Sequence, residues 1–130
     1  MATAGTPYQG LDYAAARVYG SQLSVVCYTN AANSLSDTST YASLVQPAQT
    51  NGYAPILLDG TWSFANGVVT YLTSGANPRW TATGIWSSNV TGMAIVDVAS
   101  GKLLHFRDNT VVFVAANLKK LECDLSTILS

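Results

Sequence analysis

The strongest constraint on the fold is a succession of short segments in which apolar and polar residues alternate. In the last of them Leu121, Cys123 and Leu125 are apolar, and the residues between them are charged. A period of two places alternate side chains on opposite faces of a strand, so one face joins the core and the other meets solvent. The pattern therefore predicts antiparallel strands.

Turn residues mark the ends of these segments. Asn66-Gly67 suits the positive φ angles of a tight hairpin turn, and it separates two apolar runs. In the first strand, Leu23, Val25 and Cys27 are expected to share one face. The predicted strands are 22–30, 53–58, 61–65, 68–72, 79–83, 84–86, 90–98, 102–106, 110–115 and 120–125.

Short strands separated by turns at intervals of about 8–12 residues are typical of β-sandwiches and β-barrels. The sequence therefore predicts an all-β chain: a single-domain antiparallel β-sandwich (jelly-roll-like) over residues 21–130, with an irregular N-terminal arm over residues 1–20. A polar connection at 31–52 interrupts the strands. Ser36 or Asp37 is expected to start a short helix there, which reaches Val45 before Pro47 ends it.

The N-terminal arm has a composition of its own, with glycines, a proline and tyrosines. Asp12 is expected to cap one short helical turn over residues 13–18. Two interpretations of the arm remain open. It is either a loosely ordered terminus, or an arm whose Tyr8, Tyr13 and Tyr19 pack on a neighbouring subunit.

Charged residues make up only 10% of the chain, against about 25% in an ordinary soluble domain. Either uncharged polar side chains form the surface, or a partner covers much of it, since the centres of interfaces are depleted in charge. The net charge is −1 and the basic residues are scattered. This distribution argues against nucleic-acid binding, which needs a basic stripe.

The ends and the apolar runs bear on localisation. The first residues lack the basic and apolar regions of a secretory signal. No run approaches the ~20 apolar residues of a membrane-spanning helix. We therefore expect a protein made in the cytoplasm and not inserted into a membrane.

Residues with catalytic or metal-binding chemistry are few. His105 alternates with Leu104 and Phe106, so it is expected at the surface, and no Gly-x-Ser-x-Gly motif accompanies it. Cys27 and Cys123 are distant from it in sequence and fall on apolar strand faces, which predicts reduced core thiols; a disulfide between them stays open. We predict no enzyme, no metal and no cofactor.

Aromatic residues are the remaining candidates for contacts. Trp62, Tyr71, Trp80 and Trp86 lie within 25 positions. Such rings fill a core, stack on sugars or anchor protein interfaces. The candidate interface or ligand contacts are Tyr8, Tyr13, Tyr19, Trp62, Tyr71 and Trp86.

Four stretches resemble the small β-rich virion proteins of tailed bacteriophages. They are Gly52-Tyr-Ala-Pro-Ile-Leu-Leu, Trp80-Thr-Ala-Thr-Gly-Ile-Trp-Ser, Thr91-Gly-Met-Ala-Ile-Val-Asp and Lys102-Leu-Leu-His-Phe-Arg-Asp. The resemblance covers residues 52–125 and consists of apolar patterns and turns. It implies a capsid decoration (cement) protein without an active site, made in the host cytoplasm and bound to the capsid exterior.

The same resemblance implies the partners. These are copies of the chain itself, as a dimer or trimer, and the major capsid protein, whose neighbouring subunits it bridges. The alternative is a carbohydrate- or receptor-binding β-sandwich module of a phage tail or fibre, suggested by the tryptophans between positions 62 and 86.

Overall fold

A computed structural model describes residues 3–19, 22–72, 77–116 and 118–123. These ranges contain a helix, α1 (Tyr8–Tyr19), and eight strands. The strands are β1 (Ser24–Tyr28), β2 (Ile56–Leu57), β3 (Thr61–Ala65), β4 (Val68–Leu72), β5 (Arg79–Thr81), β6 (Val90–Asp97), β7 (Lys102–Phe113) and β8 (Lys120–Glu122). Among the described residues no helix is long and apolar enough to cross a bilayer.

The strands form a main sheet and two smaller pairs. The main sheet has the order β2-β1-β6-β7, and its neighbours are antiparallel. β3 and β4 form a hairpin, while β5 pairs with β8. The described chain is therefore mostly β, and the predicted antiparallel pairing is confirmed.

Both faces of β1 and most of β6 are buried. All five residues of β1 are buried. One face, with Val25 and Cys27, belongs to a core that also contains Trp80, Trp86 and Cys123. The side chains on the other face of β1 are covered by the segment that follows β1 and form a second core. This second core comprises Val26, Tyr28, Ala94 and Val96, and Leu35, Tyr41 and Leu44 pack against it.

This arrangement confirms that Leu23, Val25 and Cys27 share a core. The opposite face of β1 is also buried, because the segment from Thr29 to Val45 crosses it. The Thr29 amide donates to the Val45 carbonyl at 2.7 Å, and the Asn30 side chain bonds both Ser43 and Val45. These bonds hold the segment beside the strand.

Several predicted boundaries change. The expected helix from Ser36 to Val45 is only a short 3₁₀ turn at Tyr41–Ser43. The predicted strand 53–58 is reduced to β2, and 84–86 is not a strand. The segments 102–106 and 110–115 merge into the single strand β7, whose pairing with β6 contains two irregularities. Leu125 lies outside the described residues.

The N-terminal segment departs most from expectation. The predicted irregular arm with one helical turn is instead the 12-residue helix α1. Three consecutive alanines, 14–16, favour helix. An isolated helix of this length is marginal in water, so its packing on the β3–β4 hairpin supplies the missing stability.

Gly92 in β6 is required by the second core. A Cβ at this position would overlap the ring of Tyr28 and would lie 2.6 Å from the Arg107 carbonyl oxygen. Neither neighbour has room to move, because Tyr28 is fully buried and the Arg107 carbonyl belongs to the paired strand β7.

We expect Gly92→Ala to lower the free energy of unfolding by about 3 kcal/mol, since overpacking a rigid core is costly. Gly10→Ala is the control, because its Cβ would meet only a Thr6 methyl at 3.5 Å in α1. That change should be neutral or stabilising by up to about 1 kcal/mol. Denaturant unfolding measures both. A Gly92→Ala protein as stable as the parent would contradict the packing described here.

Candidate functional site

Helix α1 and the β3–β4 hairpin form one packed unit, called here the helix–hairpin unit. Tyr19 lies against Trp62 with ring centroids 4.9 Å apart, and Trp62 lies 4.8 Å from Tyr71. These three rings also pack against the core on the Val25 face of the main sheet. The unit is therefore joined to the sheet through its aromatic end.

The other end of the unit is held by a carboxylate. Asp12 accepts hydrogen bonds from the backbone N–H groups of Asn66 and Gly67 at 3.1 and 2.8 Å. Both turn residues have positive φ, 52° and 77°, which confirms the predicted hairpin turn. The sequence predicted that Asp12 caps a helical turn. In the structure, Asp12 instead attaches α1 to the hairpin turn.

Several of the exposed side chains of α1 are apolar. Tyr8 and Tyr13 are 60% and 66% exposed, and Leu11 and Val18 are also exposed. Leu11, Ala14 and Val18 share one flank because they recur at helical spacing. These five residues are called the α1 surface. The charged residues of α1 are Asp12, which is bound to the hairpin turn, and Arg17, which lies 5.9 Å from the Tyr13 ring centroid.

The predicted contact residues fall into three groups. Tyr8 and Tyr13 are at the surface. Tyr19, Trp62 and Tyr71 are half-buried in the helix–hairpin unit, with their rings against one another. Trp86 is buried, 5.3 Å from Tyr53 and 5.7 Å from Phe113 between ring centroids.

The indole groups of Trp80 and Trp86 have internal partners. Trp80 Nε1 donates to the Ala54 carbonyl at 2.7 Å, and Trp86 Nε1 donates to the Asn51 carbonyl at 2.8 Å. Both rings are buried in the same core. They fasten the connection before β2 to that core and present no face to a ligand.

His105 lies half-buried beside a cavity of about 390 Å³. Ser36, Asp37 and Ser39 line the opposite wall. Within the described residues, no hydrogen bond joins the imidazole to Asp37 or to either serine. The side chains are thus gathered around one space, but they are not connected as a nucleophile, base and orienting acid.

Two carboxylates, Asp108 inside β7 and Asp97 at the end of β6, have structural partners. Asp108 accepts from the Tyr28 hydroxyl at 2.5 Å and from the Asn33 amide at 2.8 Å. Asp97 accepts from the Ser100 amide at 3.3 Å in the β6–β7 turn. Burial and the Asp108 carboxylate raise the pKa of Tyr28 far above its ordinary value. Within the described residues, no group of three or more His, Cys, Asp or Glu side chains is placed to hold a metal ion.

The two cysteines are reduced thiols in one core. Cys27 and Cys123 are both fully buried. Burial, and then the neighbouring Cys123, raise the pKa of the Cys27 thiol well above its ordinary value. A protonated, inaccessible thiol is a poor nucleophile, so these residues serve the packing.

Sequence reasoning missed two features of these surfaces. The role of Asp12 has no local signal, because its partner lies 54 positions away. The cavity beside His105 forms only because the segment after β1 folds against β7. Comparison with known proteins finds no matching family model, curated protein or solved structure.

Removing the Asp12 carboxylate tests the attachment of α1. We expect Asp12→Ala to weaken that attachment by about 1 kcal/mol, because two hydrogen bonds to a carboxylate are lost at an exposed site. Hydrogen exchange should become faster in α1 and stay unchanged in β1. Gln9→Ala, an exposed change in the same helix, is the control. Equal exchange in both variants would contradict the proposed attachment.

The thiols provide a second test. At about pH 8, both should resist a disulfide-exchange reagent in the folded protein and react at once after denaturation. Because the pKa of Cys27 is raised on folding, its thiol adds stability below about pH 9 that is lost as pH rises further and the unfolded thiol ionises. Rapid labelling of the native protein would show that the core around Cys27 is open.

Proposed function

We propose that this chain is a non-enzymatic structural protein of a virus particle, a capsid decoration (cement) protein. It binds on the capsid exterior as a dimer or trimer and bridges neighbouring capsid subunits. The resemblance of four stretches to phage virion proteins supports the assignment to a virus particle. The α1 surface supports the proposal that the chain acts by binding capsid subunits.

The α1 surface carries the proposal. On α1, tyrosine and aliphatic side chains are exposed to solvent, while the ring of Tyr19 packs against Trp62 of the hairpin. Exposed apolar groups clustered on one element are typical of protein-binding surfaces, and tyrosine is enriched among the residues that dominate binding energy. A partner that buries Tyr8, Tyr13 and Val18 would remove this apolar area from water.

Low charge fits the same proposal. A chain with 10% charged residues has few groups to desolvate when a large surface is covered. On a particle, each copy needs only modest affinity, because many linked contacts act together. Decoration of a repetitive surface uses this effect.

The proposal includes a sandwich arrangement. Trp80 in β5 and Cys123 after β8 pack into the core that covers the Val25 face of β1. β5 and β8 therefore supply material for a second layer over the main sheet. The salt bridge between Arg79 and Glu122, at 3.0 Å, joins these two strands at the surface.

The alternative of a sugar-binding module built on the tryptophans has less support. Trp80 and Trp86 are buried, and Trp62 lies between Tyr19 and Tyr71. A stacking platform needs an exposed ring face, which the two buried rings do not offer.

Binding to capsids assembled without this protein tests the proposal. We expect the parent chain to co-sediment with such capsids and to stabilise them against heat. Tyr13→Ser should weaken binding by about 2 kcal/mol, roughly 30-fold, as removal of an interface anchor does.

Ile85→Ser is the matched control, because Ile85 is 79% exposed and lies outside α1. It should bind as the parent does, and thermal unfolding should show both variants folded. Light scattering should give a dimer or trimer for the free protein. A strictly monomeric chain that does not bind the capsids would end the proposal.

A further inference from the structure

The cavity beside His105 lies at the edge of the main sheet. Four consecutive residues of β7, 103–106, form one wall. Leu103 and Phe106 pack against the second core, which contains Tyr28, whereas Leu104 packs against the core on the Val25 face of the main sheet. Because residues from both faces of β7 line the cavity, it lies along the edge of this strand. β7 is the last strand in the sheet order.

The other wall is the polar segment that follows β1. Ser39 Oγ accepts from the Ser36 amide at 2.9 Å, so its own proton remains to be donated. Ser36 Oγ shares a hydrogen bond of 2.9 Å with Thr38. These short-range bonds shape the wall and leave hydroxyl groups along the cavity.

The cavity is also lined by Asp37, which is exposed, and by His105, which is half-buried. Within the described part of the chain, neither the Asp37 carboxylate nor the His105 imidazole makes a hydrogen bond or an ion pair with protein. A carboxylate accepts two hydrogen bonds, and a neutral imidazole donates one and accepts one. The cavity therefore combines acceptors and donors with the apolar side chains of Leu103 and Phe106.

We propose that this cavity binds a saccharide. Sugar rings have hydroxyl edges that donate and accept hydrogen bonds and C–H faces that pack on apolar side chains. Asp37, Ser39 and His105 match the hydroxyl edge, while Leu103 and Phe106 match the apolar face. The negative charge of Asp37 disfavours an anion as the ligand. A metal ion is disfavoured because its usual ligands are represented here by only one carboxylate, Asp37, and one imidazole, His105.

The size of the cavity agrees with this ligand class. Its volume of about 390 Å³ lies within the range of about 300–1,000 Å³ found for small-molecule sites. The site uses neither α1 nor the tryptophans. It therefore stands apart from capsid binding, and either proposal can fail without the other.

Titration of the isotopically labelled full chain tests the proposal by nuclear magnetic resonance. The probes are glucose, galactose, mannose, N-acetylglucosamine and rhamnose, with choline as a cationic comparison. At least one sugar should shift resonances of residues 36–39 and 103–106. Asp37→Ala and His105→Ala should each reduce its affinity by about tenfold or more, since each removes hydrogen bonds to the ligand.

Asp97→Asn is the control, because it removes a carboxylate from the β6–β7 turn without touching the cavity wall. It should leave sugar affinity unchanged, and thermal unfolding should show all three variants folded. The proposal is overturned if no sugar shifts these resonances, if the shifts lie elsewhere, if Asp37→Ala binds as the parent does, or if choline binds and no sugar does.

Discussion

The pairing of β1 with β6 is the constraint on which the structure depends. Five residues of β1 oppose five of β6, and both strands are covered on both faces. Gly92 makes this possible by leaving room for the Tyr28 ring. The Tyr28 hydroxyl donates a hydrogen bond to the Asp108 carboxylate, which also accepts one from the Asn33 amide. The Asp108 side chain therefore joins β7 to β1 and to the segment that follows β1.

Because the centre is apolar and closed, the groups that can contact a partner lie at the periphery. Helix α1 is added at one place, where aromatic packing at Tyr19 and the Asp12 carboxylate hold it to the hairpin. The polar wall at Ser36, Asp37 and Ser39 is added at another, against β7. The first exposes apolar side chains, and the second places hydrogen-bonding groups along a cavity.

Local signals in the sequence predicted the hairpin at Asn66-Gly67 and the shared face of Leu23, Val25 and Cys27, because period and turn chemistry act over a few residues. They did not predict that β1 is covered on both faces, which depends on the segment from Thr29 to Val45 folding back. They also missed the length of α1 and the partner of Asp12, since the turn of the hairpin that stabilises the helix lies 54 positions after Asp12. Asp37 and His105 line one cavity because the segment after β1 folds against β7, which is also a long-range effect.

Under the proposed function, this chain binds its partner through α1. Hydrogen–deuterium exchange of the free protein, compared with the protein bound to its assembly, tests it most directly. We expect slower exchange in α1 after binding and unchanged exchange in β1, which is already buried. Unchanged exchange in α1, with new protection confined to other parts of the chain, would contradict it.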